Sequence, residues 1–266
     1  MKRNVSLEEI SDGRLYGGND MVKADCHGCE GCHACCTGMG NSVILDPYDA
    51  YRFQQGLGKG ISQLFAEGML ELNVVDGIIL PNLKMSGKGG RCAFLNEEGR
   101  CGIHESRPGL CRLFPLGRYY EDGEFKYFLQ IKECRASNRS KIKVSKWIDT
   151  PDQNRYYRFI CDWHGLLNRL EKVVTEALFD SGGAGAGKTP ETYSEAGTEA
   201  ALETNRGSGR TEELSKSWED SKLEEGKRLN VLLVKTFFLE PYMPEEDFYE
   251  QFTERMERYQ ANFSKG

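Results

Sequence analysis

Five cysteines lie within eleven residues near the start of the chain, and their spacing restricts what this segment can become. They are Cys26, Cys29, Cys32, Cys35 and Cys36, in the run CHGCEGCHACC. The residues between them are small or polar and lack the periodicity of a buried helix or strand, so core packing does not explain them. Repeated C-x₂-C steps are typical of zinc knuckles and of the cysteine limb of ferredoxins. The run therefore predicts a metal site.

The rest of the sequence indicates the cellular compartment and the partners to expect. The first 20 residues have no apolar core of a secretory signal, and no apolar run reaches the roughly 18 residues of a membrane span. We therefore expect a cytoplasmic protein without a membrane partner, in which ten cysteines stay reduced. A formal net charge of −6 offers no electrostatic basis for binding nucleic acid. Metal ions are the expected partners.

The adjacent pair Cys35 and Cys36 ends the run. Neighbouring side chains tend to diverge, so we do not expect both thiols to bind one ion. Two interpretations follow. Either two metal sites share this segment, or one ligand lies beside a redox-active thiol.

A second group of cysteines follows at wider spacing: Cys92, Cys101 and Cys111, with Cys134 further on. Each of the first three lies at the predicted edge of a short element, where a side chain can point into a shared pocket. Four arginines lie near these cysteines in the sequence, namely Arg91, Arg107, Arg112 and Arg118. They are candidates to offset the negative charge of the thiolates by contacting the ligands rather than the metal. Cys161 lies on the apolar stripe of a predicted long helix and is expected to be a core residue. The candidate histidines are His27 and His33, whereas His164 is expected to be an ordinary helix residue.

In this order the motifs resemble the zinc- or iron-chelating CxxCxxCC domain of the YkgJ-like cysteine-cluster proteins. The likeness rests on the first cysteine block, then C-A-F-L from Cys92, C-G-I-H-E-S-R-P from Cys101 and C-R-L-F-P from Cys111, and covers about residues 26–120. It implies metal chelation through seven cysteines, which are Cys29, Cys32, Cys35, Cys36, Cys92, Cys101 and Cys111. Cys26 extends the family's minimal block, and Cys134 remains a further candidate. His104 stands where the family usually carries an aromatic residue and is an additional candidate ligand.

The donor set suits two metals. Zinc takes four thiolate or imidazole ligands, and a [4Fe–4S] cluster takes four thiolates. The x₃-C-P continuation of bacterial ferredoxins is absent from this run. Cysteine outnumbers histidine and a vicinal pair suits redox chemistry, which favours an iron–sulfur cluster, with zinc as the alternative.

The fold class predicted is α+β: a small cysteine-rich module with short hairpins, packed against long C-terminal amphipathic helices. Asp76-Gly77 and Asp122-Gly123 predict two hairpins, Asp46-Pro47 begins a helix that ends at Gly56, and Thr150–Gln153 forms a capping box for a long helix. The expected units are an irregular arm (1–25), the metal-binding domain (26–145), a long helix (146–180), a disordered insert (181–220) and C-terminal helices (221–266). The insert contains a G-x₄-G-K-T match at 182–189, but no strand precedes it, so we reject a phosphate-binding loop.

Three functions fit these features. The first is chelation of iron, as an iron–sulfur cluster, or of zinc, with a redox or electron-transfer role. The flagellin lysine N-methylases carry a similar cysteine block, which makes a cluster-dependent protein-modifying enzyme the alternative. The third is a zinc-stapled module that recruits a protein partner. Whether the protein is an enzyme stays open.

Overall fold

The computed structural model describes residues 6–27, 32–87, 89–136, 138–180 and 223–263. Its helices are α1 (Leu7–Ile10), α2 (Pro47–Leu57), α3 (Ile61–Ala66), α4 (Gly109–Leu113), α5 (Val144–Ile148), α6 (Gln153–Asp180), α7 (223–234) and α8 (Phe248–Gln260). Its strands are β1 (Met21–Asp25), β2 (Leu70–Val75), β3 (Ile78–Leu83), β4 (Met85–Ser86), β5 (Arg91–Cys92), β6 (Leu116–Glu121), β7 (Glu124–Leu129) and β8 (Ser140–Lys143). This confirms the predicted mixture of helices and small antiparallel hairpins. The predicted insert at 181–220, with its G-x₄-G-K-T match, lies outside the described residues.

The strands pair two by two, and each pair is antiparallel: β1 with β8, β2 with β3, β4 with β5, and β6 with β7. Two of the pairs are the hairpins that the Asp-Gly turns predict. Asp76 and Gly77 have φ values of 51° and 79°, and Asp122 and Gly123 have 50° and 82°. Both central residues of a type I′ turn need positive φ, which Gly adopts without strain and Asp tolerates. The turn chemistry therefore sets both registers.

Helix α6 buries one face along much of its length. Its buried apolar side chains recur at spacings of three and four residues; they are Tyr156, Phe159, Ile160, Trp163, Leu166, Leu170 and Val174. Burying one such side chain stabilises the fold by roughly 1.5–3 kcal/mol. Aromatic rings from α2, α8 and the π-helical turn that follows α7 (Lys235–Leu239) pack on this face, with Phe159 meeting Phe252 at 4.8 Å and Trp163 meeting Phe237 at 5.1 Å between centroids. The helices thus form the core that supports the hairpins.

Helix α7 is attached to the β2–β3 turn by a single buried amide. The side chain of Asn230 accepts a hydrogen bond from the Ile79 N–H at 2.8 Å and donates one to the Gly77 carbonyl at 3.1 Å. Gly77 also lies directly against α6, because a Cβ atom at this position would come within 2.7 Å of a methyl group of Val174. The tip of this hairpin is therefore fixed between two helices.

The structure differs from the sequence predictions at three places. Within the arm at 1–25, expected to be irregular, residues Met21–Asp25 form β1 and pair with β8. Helix α2 continues to Leu57 because Gly58, with φ 63°, supplies the left-handed residue that ends it. Helix α6 begins at Gln153, where Asp152 accepts from the N–H of Arg155, while the Thr150 hydroxyl is held by Arg112.

Replacing Gly77 by Ala tests how tightly the β2–β3 turn is held. Gly77→Ala and Gly123→Ala both force an L residue to positive φ, which costs about 1–2 kcal/mol. Only the Cβ at position 77 collides with α6; position 123 has open space around it. We expect Gly77→Ala to lower the free energy of unfolding by a further 1–3 kcal/mol, roughly, relative to the Gly123→Ala control. Urea unfolding of both variants measures this difference, and equal losses would contradict the packing described.

Candidate metal centre

The first cysteine block reaches the second through main-chain pairing. Thr37 forms an antiparallel bridge with Arg91 in β5, and the N–H of Gly38 donates to the Gly90 carbonyl at 2.9 Å. Cys35 and Cys36 lie in a 3₁₀ turn (Ala34–Cys36) just before this bridge. They are therefore brought beside Cys92, which is the second residue of β5.

Two further cysteines come from separate segments. Cys101 forms a bridge with Leu95, and the Gly102 N–H donates to the Phe94 carbonyl at 2.8 Å, which closes the loop after β5. Cys111 lies in the middle of α4 (Gly109–Leu113). Four short elements and loops thus contribute the thiols of one cluster, which we call the thiol cluster: Cys35, Cys36, Cys92, Cys101 and Cys111.

The five thiols influence each other's ionisation. Burial is the main cause that raises the pKa of Cys111, with contributions from Cys92, Cys35 and Cys101. Burial likewise raises the pKa of Cys92 and of Cys101, and Cys35 adds to both. Each thiolate makes the next one harder to form, because like charges in a buried region repel. A group of thiols in this state is stabilised by a bound cation.

Cys35 is the exception within the thiol cluster. A hydrogen bond from Cys36 lowers the pKa of Cys35 to about 7, and the positive charge of Arg107 acts in the same direction. The same hydrogen bond raises the pKa of Cys36. The ionisation of each of these two neighbouring thiols therefore depends on the other.

The other candidate residues lie elsewhere or are held by other partners. Cys29 lies outside the described residues, and Cys32 is exposed. Cys26 directly follows β1, and Cys134 lies in the connection from β7 to β8; both are half-buried. Cys161 is half-buried on α6 and packs at the edge of the hydrophobic core, as a core residue would.

The histidines contact protein groups. His104 lies 3.0 Å from Arg107 through its Nε2 atom, and burial, aided by Arg107, lowers its pKa. His27 lies 3.2 Å from the Asn138 carbonyl oxygen through Nε2. His33 precedes the 3₁₀ turn, and its ring lies beside Gly99, where a Cβ atom would be 3.1 Å from Nδ1.

Of the four arginines near the second cysteine group, Arg107 acts on the thiol cluster, since it lowers the pKa of both Cys35 and Cys101. Arg91 donates to the Leu95 and Asn96 carbonyls. Arg112 donates to the Thr150 hydroxyl at 3.2 Å, and Arg118 donates to the Tyr156 hydroxyl at 3.0 Å.

Sequence reasoning missed a buried carboxyl group that affects Cys111. Asp49 is 1% exposed, and burial, reinforced by Asp46, raises its pKa to about 8. Its proximity also contributes to the raised pKa of Cys111. The signal was present in the capping box of α2, where Asp49 stands three residues after Asp46.

An open cleft of about 500 Å³ lies between the first cysteine block and β5. Its walls include His33, Thr37, Arg91, Leu95, Glu97 and Gly99. His33 and Thr37 flank the 3₁₀ turn that carries Cys35 and Cys36, so the cleft opens beside that turn.

The donor set fits a thiophilic metal. Sulfur ligands suit zinc and iron–sulfur clusters, whereas magnesium and calcium require oxygen. Across the described ranges, no three His, Cys, Asp or Glu side chains stand at the separations needed to hold an ion. The described thiols are thus gathered in one region without being drawn to ligand distances, and Cys29 lies outside that description.

Comparison with protein families identifies the segment that carries these cysteines. Residues 28–135 match the model of the CxxCxxCC family, described as "Putative zinc- or iron-chelating domain". The matched segment therefore resembles a CxxCxxCC domain. It contains the thiol cluster together with Cys29, Cys32 and Cys134, and the family description supports zinc or iron as its metal. Searches of curated proteins and of solved structures found no match. Along the described parts of the chain, no helix is both long and apolar enough to cross a bilayer.

The ionisation of Cys35 can be tested in metal-free protein. A folded-state pKa of about 7 makes this thiol largely a thiolate above neutral pH, whereas an ordinary cysteine titrates near 8.5. We expect the rate of Cys35 alkylation by iodoacetamide to rise with pH and to reach half its maximum near pH 7. In Cys36→Ala the hydrogen-bond donor is lost, so the midpoint should rise.

Mass spectrometry of the alkylated peptides measures both rates. Cys161 serves as the internal control, because burial raises its pKa and its alkylation should need a higher pH. An unchanged Cys35 midpoint in Cys36→Ala would show that the hydrogen bond does not control this thiol.

Proposed function

We propose that the CxxCxxCC domain of this protein holds a metal centre through its cysteines. The ligand core is Cys29, Cys32, Cys35, Cys36, Cys92, Cys101 and Cys111, with Cys26 and Cys134 as further candidates. The observation that carries the proposal is the convergence of five thiols from four separate segments into one partly buried cluster.

Electrostatics supports a metal over a set of packing thiols. Simple core cysteines do not need to lie together, and bringing several ionisable thiols into one buried region raises the cost of ionising each. A bound cation reverses this effect, since a coordinating thiol is deprotonated outright. The thiolate form of Cys35 and the nearby charge of Arg107 make this edge of the cluster ready to accept a metal.

For the metal we propose iron, held as an iron–sulfur cluster, with zinc as the alternative. The described cluster is built of sulfur donors, and His104 is engaged with Arg107, so a purely thiolate site is favoured. Both a Cys₄ zinc site and a [4Fe–4S] cluster are of this kind. The seven proposed ligands exceed the four that either centre requires, and the vicinal pair Cys35–Cys36 suits the redox chemistry of an iron–sulfur cluster. Electron transfer is the role that we propose for an iron–sulfur centre, and the methylase-like enzyme and the zinc-stapled module stay predictions.

The proposal is tested by anaerobic purification of the full chain, with elemental analysis and a visible spectrum. We expect metal in the wild-type protein and loss of most of it in Cys101→Ser and Cys111→Ser, because each removes one donor from the cluster. Loss of metal should also lower the melting temperature, since site binding energy contributes to folding. Cys161→Ser, outside the cluster, is the matched control and should keep its metal.

The same measurements separate the two metals. Iron with broad visible absorption that bleaches in air supports the iron–sulfur centre, and a colourless protein with stoichiometric zinc supports the alternative. Wild-type protein that contains neither metal and binds neither after reconstitution would contradict the proposed function.

A further inference from the structure

One face of α2 lies along the stretch of chain that connects Cys101 to Cys111. Asp49, Arg52 and Gly56 follow one another at spacings of three and four residues, so they share that face of the helix. Each of them contacts a different point of the segment between residues 105 and 109, as the following contacts show.

The first contact caps the helix that carries Cys111. Asp49 Oδ1 accepts a hydrogen bond from the N–H of Gly109, the first residue of α4, at 2.7 Å. The residue at the N-cap of α4 is Pro108, whose side chain has no oxygen and makes no capping hydrogen bond. Helix N-termini leave several N–H groups without a partner in the helix. The side chain of Asp49 in α2 therefore caps the start of α4, which the N-cap residue Pro108 cannot do.

The second and third contacts hold the 3₁₀ turn (His104–Ser106) that precedes α4. The guanidinium of Arg52 donates to the Glu105 carbonyl. Gly56 lies against Ser106, where a Cβ atom would come within 1.9 Å of the serine hydroxyl oxygen. Glycine at position 56 is thus required for the turn to approach the helix this closely.

Asp49 is itself held rigidly. Its Oδ2 accepts from the Asp46 N–H at 3.1 Å, and Asp46 Oδ1 accepts from the Asp49 N–H at 3.0 Å. Both carboxylate oxygens of Asp49 are therefore occupied by main-chain N–H groups. This makes Asp49 a support for the cysteine segment and leaves it poorly placed to bind a metal directly.

We infer that Asp49, assisted by Arg52, is a positioning residue that sets where the Cys111 sulfur lies relative to the other thiols of the cluster. The inference rests on the proposed metal-binding function and adds to it the residue that controls one ligand from outside the site. Groups that orient metal ligands in this way change metal affinity by about 10–100-fold when they are removed.

The first test uses Co(II) as the probe metal, titrated anaerobically into the metal-free full-length protein. Thiolate-to-cobalt absorption reports both the affinity and the number of sulfur ligands. We expect Asp49→Ala to weaken Co(II) binding by about 10–100-fold and to reduce the thiolate absorption. Asp49→Asn keeps one acceptor oxygen for the Gly109 N–H and should recover part of the loss.

Asp247→Ala is the matched control. Asp247 is also an N-cap aspartate, since its side chain accepts from the Glu250 N–H at 3.0 Å at the start of α8. Its removal should lower the melting temperature and leave Co(II) affinity within about twofold of wild type, because α8 carries no cysteine.

The second test needs no metal. In metal-free protein we expect the alkylation rate of Cys111 to rise about tenfold or more in Asp49→Ala. The reason is the same as for metal binding: without Asp49 the Cys111 side chain is no longer held in place. The rate at Cys161 should stay unchanged. If Cys161 also becomes reactive, the variant has unfolded, and Arg52→Ala with Arg52→Lys as its conservative partner gives the result instead.

The outcomes separate the two proposals. Wild-type protein that binds Co(II) through thiolates, with Asp49→Ala and Arg52→Ala equal to it in affinity and in Cys111 alkylation, overturns the positioning inference alone. Wild-type protein that binds no Co(II) overturns the proposed function, and the inference falls with it.

Discussion

Two cysteine groups that are far apart in sequence are joined by a short stretch of antiparallel main chain. Gly38 donates to the Gly90 carbonyl, and Thr37 pairs with Arg91, so the first block is fixed beside β5. Both glycines have positive φ, and a Cβ atom at Gly90 would lie 3.4 Å from the Gly38 nitrogen. Glycine is favoured at both positions because positive φ is strained for other residues. Without this pairing, Cys35 and Cys36 would have no fixed relation to Cys92.

The pairing continues beyond the cysteines. The segment 43–45 runs beside β3, where the Leu45 N–H donates to the Pro81 carbonyl and the Leu83 N–H donates to the Val43 carbonyl. This run leads directly into α2, whose buried face packs on the aromatic core of α6 and α8. The thiol cluster is thus anchored to the helical core through α2, which supports the second cysteine group as well as the first.

The chemistry of the cluster follows from its burial and its charge. Thiols that raise each other's pKa in a partly buried region stay protonated at higher pH than ordinary thiols, and a coordinated cation would replace those protons. Arg107 offsets part of this by favouring the thiolate of Cys35. The other buried ionisable groups hold α4 in place: Asp49 accepts a hydrogen bond from its first N–H, and Arg112 donates one to Thr150.

The amino-acid sequence by itself determined the local features of this protein. Asp-Gly pairs specify type I′ turns because both central residues must have positive φ, and thiol spacing indicates a thiophilic metal because ligand preference is a property of the sulfur atom. Tertiary structure decided which candidates meet. Arg107 acts on the thiol cluster, whereas Arg91, Arg112 and Arg118 bind other groups. His104 contacts Arg107, and Asp49 accepts a hydrogen bond from the first residue of α4. These contacts join elements by main-chain pairing and helix packing, so no local pattern in the sequence records them.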